Sequence, residues 1–217
     1  MFPSRVGTPP RLRDSAVRFS PRSRGGPHRL LLLQGETDVF DFPGQDYGNV
    51  VGSLLDPDRL CELGPGSPVP ETHSRLQQLT TRELLGDRPA ADSQMAACCL
   101  AGLWLWYDYL DESHSISQGI SSTSGSYWHG IMHRREPDYP NSKYWFRRVG
   151  DHPIFPRLRD AAAELVSATA PNCGADDLVS QAEWDPFRFV DLCQQASGTA
   201  TALEELCRQI ARIEWYL

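Results

Sequence analysis

The apolar run Met95–Trp106 constrains the fold of this chain more than any other feature. It reads MAACCLAGLWLW and contains no charged residue. Wound into a helix, such a run is apolar on every side, so it must be buried on every side. It is too short to span a bilayer, which takes about 18 residues or more. The run therefore predicts the central helix of a soluble domain, from about residue 94 to 112, with Asp92 or Ser93 as its N-cap.

Most of the chain beyond residue 70 shows the helical period, and no strand pattern competes with it. The proline and glycine positions are consistent with these helices, since Pro140 and Pro186 suit first helical turns and Gly150 suits a helix end. The sequence predicts an all-α fold, a single helical domain of about six to seven helices. Besides the central helix, these are expected near 71–85, 126–136, 141–149, 154–168 and 187–196, with a last one starting at Thr199.

Three regions are predicted along the chain. Residues 1–29 are rich in Arg, Pro and Ser and lack hydrophobic periodicity, which predicts a disordered tail. Residues 30–70 are predicted to form an irregular arm, because 43–70 is dense in Gly, Pro and Asp. A short strand or extended segment is expected at its start. Residues 71–217 form the helical domain. Six cysteines without metal-site spacing favour free thiols in the cytoplasm, and the Arg-rich start suggests organelle targeting as the alternative.

Charge is distributed unevenly. The net charge is −7, and the arginines of residues 1–29 leave the remainder more acidic still, which argues against nucleic-acid binding. Residues 127–160 are the exception. A local positive field in an acidic protein favours small anions such as carboxylates or phosphates, and surface ion pairs are the alternative. The cations of this segment are Arg134, Arg135, Lys143, Arg147, Arg148, Arg157 and Arg159.

The stretch 125–153 is the candidate functional site, because histidine, tryptophan and arginine are dense within it. His129 and His133 are four residues apart and share one helical face, with Glu136 one turn later. Such a pair is the helical half of many sites for a divalent metal. The HExxH pattern of metalloproteases is absent because residue 130 is Gly. Residues that can supply a third ligand are Asp111, Glu112, His114 and His152.

A metal-free site and a purely structural role are the alternatives for these histidines. His129 or His133 beside Asp108 or Asp111 can act as general acid or base, because imidazole titrates near neutral pH. This chemistry is that of a hydrolase, isomerase or lyase, with Glu112 and His114 as further candidate catalytic groups. The sequence has no P-loop, dinucleotide glycine motif or serine elbow, so no nucleotide cofactor is expected.

The same stretch carries groups that can hold a ligand. Arginines can clamp a carboxylate or phosphate through two parallel hydrogen bonds, and tryptophan faces suit a sugar ring or a planar ligand. We therefore predict a pocket for a small anionic or sugar-like metabolite. Its candidate ligand-binding residues are Trp128, Arg134, Arg135, Lys143, Tyr144, Arg147, Arg148 and His152.

The predicted helices 126–136 and 141–149, joined by the turn 137–140, form a helical hairpin. In spacing, this hairpin resembles a tetratricopeptide or Sel1-like repeat, in which small and aromatic residues alternate before a closing proline. Val149 departs from the alanine usual there, and no second copy occurs. The resemblance implies a helical hairpin, and a protein-interaction module is the alternative function. The block 124–153 also resembles one shared by uncharacterised microbial proteins, which implies no activity. The residues at matching intervals are Gly130, Tyr139, Ser142, Phe146 and Pro153.

Finally, the order of the elements predicts how the site is assembled. The central helix turns polar just before the loop that leads into the hairpin. We therefore expect His129, His133 and Arg147 to converge with Asp108 or Glu112 in one cavity.

Overall fold

A computed structural model describes residues 48–56, 58–85 and 93–217, which lie in one compact unit. Within these ranges all regular structure is helical, which confirms the all-α prediction. The predicted tail 1–29 and the start of the arm lie outside the described residues. The helices are α1 (Gly48–Leu54), α2 (Pro70–Gln77), α3 (Thr81–Leu85), α4 (Ser93–Trp106), α5 (Leu110–Ser117), α6 (Thr123–Arg135), α7 (Tyr139–Val149), α8 (Phe155–Thr169), α9 (Asp177–Ser180), α10 (Pro186–Ala196) and α11 (Ala202–Tyr216).

The described ranges hold more helices than the six or seven predicted, because two predicted helices are each divided. The segment 71–85 breaks after α2, and α3 restarts with a capping box. There Thr80 Oγ1 accepts from the backbone N–H of Glu83 at 3.2 Å, and Glu83 accepts from Thr80 N at 3.0 Å. The segment 94–112 breaks between α4 and α5 at Asp108, whose φ is 65°. Helix α1 within the arm and the short α9 were not predicted.

Helix α4 is central, as its composition requires. It contacts α3, α5 and α6. Its residues enter two hydrophobic clusters. Leu105 belongs to the cluster built mainly by α6–α11, whereas Leu103, Trp104 and Trp106 belong to the cluster built by α1–α5 and the end of α11. All four side chains are at least 95% buried, so α4 joins the two halves of the core.

Helix α6 is buried almost all round although many of its residues are polar. It begins after Ser122, whose hydroxyl accepts from Gly125 N at 3.2 Å, and it pairs with α7 as an antiparallel hairpin neighbour. The two helices approach closely at Gly130, where an added Cβ would lie 3.1 Å from the Phe146 ring. Ser142 Oγ donates to Gly130 O at 2.8 Å in the same contact.

The remaining helices begin and end at residues with recognisable caps. In α7, Asp138 caps the first turn, Pro140 lies within it and Gly150 ends the helix with φ 61°, as predicted. The side chain of Asp185 caps α10 through Phe187 N and Arg188 N. The last helix is capped by Thr201 rather than Thr199. In the described part of the chain no helix is long and apolar enough to cross a membrane.

Candidate metal centre

Three histidines meet between α5, α6 and α7. One ring nitrogen from each of His114, His129 and His133 lies within 4.8 Å of the other two. The rings of His129 and His133 are stacked, with centroids 4.7 Å apart and planes 17° apart. The His114 ring meets both edge-on, at 4.8 and 5.3 Å. The predicted shared face of the α6 pair is therefore completed by a third imidazole from α5.

His129 is the innermost of the three. Its side chain is 3% exposed, and among the residues that the structure describes neither ring nitrogen has a hydrogen-bond partner. The indole of Trp145 stacks on it at 3.9 Å. Burial, together with the neighbouring His133 and His114, lowers the pKa of His129 to about 3. The ring is therefore neutral near pH 7, and neutral imidazole is the form that binds metal ions.

His133 is oriented by two neighbours. Its Nδ1 lies 3.0 Å from Oε2 of Glu136, and this contact favours the tautomer with its proton on Nδ1. Nε2 is then the lone-pair nitrogen, as in carboxylate–histidine–metal arrangements. The amide nitrogen of Asn141 lies 3.1 Å from that Nε2, so this amide must rotate away when an ion binds. Burial lowers the pKa of His133, and Glu136 opposes that effect.

The three ring nitrogens are close enough to be brought onto one ion, but the nearly parallel rings of His129 and His133 must reorient before their lone pairs converge. In a tetrahedral zinc site with Zn–N bonds of about 2.0–2.1 Å, the ligand nitrogens lie roughly 3.4 Å apart. The imidazoles here are within 4.8 Å, so closure takes on the order of 1 Å at each ring. His114 and Trp145 are partly exposed, so the cluster lies near the protein surface.

A second group of potential ligands, His133 with Glu136 and Asp138, also lies within 4.8 Å. Both carboxylates already have structural partners. Glu136 contacts His133, and Asp138 accepts from Asn141 N at 3.3 Å as the cap of α7. The three-histidine cluster is thus the stronger candidate, because it contains the unpartnered ring of His129.

Asp108, a predicted catalytic acid, lies in a buried ion-pair network. Arg59 Nη2 is 2.7 Å from its Oδ2, and Arg135 Nη2 is 2.5 Å from its Oδ1. Ser67 N adds a contact at 3.3 Å. An added Cβ at Gly66 would lie 2.5 Å from the carboxyl carbon of Asp108, so the arm packs tightly here. Both oxygens of Asp108 are engaged, and so is the guanidinium of Arg135.

Arg134, a predicted anion clamp, is likewise engaged. It forms a buried ion pair with Glu214 of α11, with Nη1 at 3.3 Å from Oε1. Tyr127 donates its hydroxyl to the same Oε1 at 2.8 Å. Burial and Glu214 raise the pKa of Tyr127 well above its ordinary value. This network joins α6 to α11 and pairs the guanidinium of Arg134 with a carboxylate of the protein.

The other predicted catalytic acids are at the surface of α5. Asp111 is exposed. Glu112 lies 3.4 Å from His73 of α2. Neither acid is among the groups close enough to share a metal with the histidines in the described residues. His152 stacks on Tyr127 at 4.8 Å, outside the cluster.

The remaining predicted ligand-binding residues fall into two sets. Trp128 is partly buried and packs against Gly102 and Trp215. The others lie on the partly or fully exposed side of α7. Lys143 pairs with Asp191 at 2.5 Å, Arg148 lies 5.3 Å from the centre of the Trp145 ring, and Arg147 lies over Phe187 of α10. Tyr144 is 48% exposed.

Sequence reasoning missed some residues that shape these sites. Asn141 was missed, although it lies four residues before Trp145 and so shares a face of α7 with a tryptophan that was expected to stack on a ligand. Arg59 and Glu214 gave no such signal, because each is distant in sequence from its partner.

Comparisons of the chain with protein-family models, with curated proteins and with solved structures found no match.

Proposed function

We propose that this protein binds a divalent transition metal through His114, His129 and His133. The observation that carries the proposal is the buried His129 ring, whose nitrogens lack partners within the described residues. Burying polar atoms without hydrogen bonds costs about 1–3 kcal/mol. A bound ion offsets that cost. All-nitrogen coordination suits zinc, copper, nickel or iron better than magnesium or calcium, which prefer oxygen ligands.

Three protein ligands leave one position of a tetrahedral ion for water or substrate, which is the pattern of catalytic rather than structural zinc sites. An ion in such a site lowers the pKa of its bound water towards 7 and polarises a carbonyl or phosphoryl oxygen. The chemistry that follows is hydrolysis, or the acid–base chemistry of an isomerase or lyase. Glu136, 3.0 Å from His133, acts as the positioning residue that fixes the ring.

The substrate class that we propose is a small anion, such as a carboxylate or phosphate of a metabolite. It is attracted by the charge of the ion and by Arg148, which lies over Trp145 next to the cluster. In the described part of the chain no acid forms an ion pair with Arg148, so its guanidinium is available. Trp145 contacts both His129 and Arg148, and it supplies a flat apolar wall.

Metal analysis tests the proposal most directly. Protein purified without chelator, or reloaded with Zn²⁺ or Co²⁺ after chelation, is expected to hold one ion per chain. Cobalt is expected to give the visible absorption of a four-coordinate site. His114→Ala and the pair His129→Ala/His133→Ala are expected to lose that ion. His73→Ala is the matched control, because His73 contacts Glu112 outside the cluster.

The outcomes separate the alternatives. Equal, near-zero metal in wild type and variants contradicts the metal centre. If small carboxylates or phosphates still raise the melting temperature without metal, a metal-free acid–base pocket replaces it. A protein-interaction role is the second candidate, favoured by Tyr144, which is 48% exposed on α7. This second function is the one favoured if neither metals nor anions stabilise the protein.

A further inference from the structure

A groove of about 760 Å³ lies on the other side of α7 from the histidines. It runs between the end of α7, the first turns of α8 and the loop that leads into α10. Its volume is within the range of roughly 300–1,000 Å³ typical of small-molecule sites. None of the three clustered histidines lines it, so it is a separate site. Arg147, predicted to converge with the histidines, lies here instead.

The groove carries charges of both signs that do not neutralise one another. Arg147, Asp151 and Glu183 are all exposed and all line it. Within the described ranges none of the three has an ion-pair partner, although they share one depression. A ligand that carries both a carboxylate and an ammonium group is complementary to this arrangement.

The rest of the lining is largely aromatic. Phe155, Trp184 and Phe187 contribute to the walls, and the guanidinium of Arg147 lies 5.9 Å from the centre of the Phe187 ring. Arg159 holds the loop in place, because its Nη1 donates to Ala182 O at 3.0 Å. The walls therefore suit an apolar or aromatic side chain placed between the charged groups.

We propose that this groove binds a small zwitterion of the amino-acid or short-peptide class with an apolar or aromatic side chain. Its carboxylate pairs with Arg147, its ammonium group faces Asp151 and Glu183, and its side chain packs against Phe187 and Trp184. The site is independent of the metal centre, so failure of one proposal leaves the other standing.

Calorimetric titration in the presence of a chelator tests this proposal without interference from bound metal. The probes are L-phenylalanine, its desamino analogue 3-phenylpropanoate, its decarboxylated analogue 2-phenylethylamine and the dipeptide Phe-Phe. We expect L-phenylalanine or the dipeptide to bind, and each single-charge analogue to bind at least about tenfold more weakly than the tighter of these two. Which of the two zwitterions binds more tightly distinguishes a free amino acid from a peptide.

Two variants locate the binding. Arg147→Gln is expected to weaken binding at least about tenfold. Arg157→Gln, at an exposed arginine of α8 outside the groove lining, is expected to bind as wild type. The proposal is overturned if no probe binds at 10 mM, if 3-phenylpropanoate binds as tightly as L-phenylalanine, or if Arg147→Gln has no effect. Circular dichroism on both variants excludes misfolding, since both side chains are exposed.

Discussion

Helix α6 presents two kinds of buried polar group: arginines paired with carboxylates, and a histidine whose ring nitrogens have no hydrogen-bond partner in the described residues. Arg134 and Arg135 are matched by carboxylates, Glu214 and Asp108. His129, as deeply buried, is matched by nothing in the described residues except ring contacts. Ion pairs of this kind, in which each arginine has a carboxylate partner, hold the helices together. An unsaturated buried group is costly to the fold, and we attribute its presence to a ligand.

Removing a carboxylate partner of the buried arginines is expected to give the largest change in the free energy of unfolding. Glu214→Ala leaves the guanidinium of Arg134 buried without its partner and should lower the free energy of unfolding by about 3–5 kcal/mol. Urea denaturation at pH 7 measures it. Glu205→Ala, an exposed residue of the same helix, is the control, with less than about 0.5 kcal/mol expected. A loss below 1 kcal/mol for Glu214→Ala would remove the contrast.

Binding of an ion by the three histidines is expected to stabilise the protein. Zn²⁺ at a free concentration of 100 times its Kd adds about 2.7 kcal/mol to the free energy of unfolding if the ion binds only the folded state. The measurement is the melting temperature with and without metal. His114→Ala should abolish the shift and His73→Ala should keep it. An equal shift in all three proteins would assign it to nonspecific binding.

The metal-free protein is expected to lose stability as the pH falls below about 6.5. The unfolded chain protonates His129 near its ordinary pKa, whereas the folded chain resists until about 3. Between these values the unfolded state binds more protons, so stability falls by up to about 1.4 kcal/mol per pH unit from this one residue. Urea denaturation between pH 7 and 4, with chelator, measures the slope. The slope of His129→Leu should be smaller, and an identical slope would exclude His129 as the source.

The smallest expected effect is an increase in the stability of the metal-free protein. His129→Leu removes the unpartnered nitrogens while keeping an apolar contact with Trp145, and it should raise the free energy of unfolding of the metal-free protein by about 1 kcal/mol. The same variant should bind no metal. Phe146→Leu, at a buried residue of α7 between the two helices of the hairpin, is the control and should lose stability. A loss of 2 kcal/mol or more in His129→Leu would mean that the imidazole itself supports the fold.

The fold class was predictable from the sequence because helical periodicity and caps are local signals. The break at Thr80 was also encoded, since Thr80 and Glu83 have capping-box spacing, but the continuous apolar pattern of 71–85 outweighed it. The break at Asp108 was not predictable. A non-glycine residue at φ 65° is unfavourable alone, and here it is supported by Arg59, which is distant in sequence.

The candidate site was predictable in part. The spacing of His129 and His133 placed both rings on one face, and His114 was among the candidate partners. Sequence could not tell that Arg134 and Arg135, the next two residues, point to carboxylates elsewhere. Successive helical positions differ by about 100° in direction, and only the tertiary packing decides which direction leads to a partner. The prediction that Arg147 lies beside the histidines was wrong for the same reason, because the sequence does not show which neighbour that side of α7 faces.

If the histidine cluster binds an ion as proposed, the anchoring of α6 also affects how fast that ion exchanges with solvent. Its ion pairs to Asp108 and Glu214 and its close contact with α7 at Gly130 leave it little freedom to open locally, so its amide protons should exchange only through global unfolding. Helix α5 is short and partly exposed. The bound ion would then exchange through local unfolding of α5, and His114 would be the first ligand to dissociate from it.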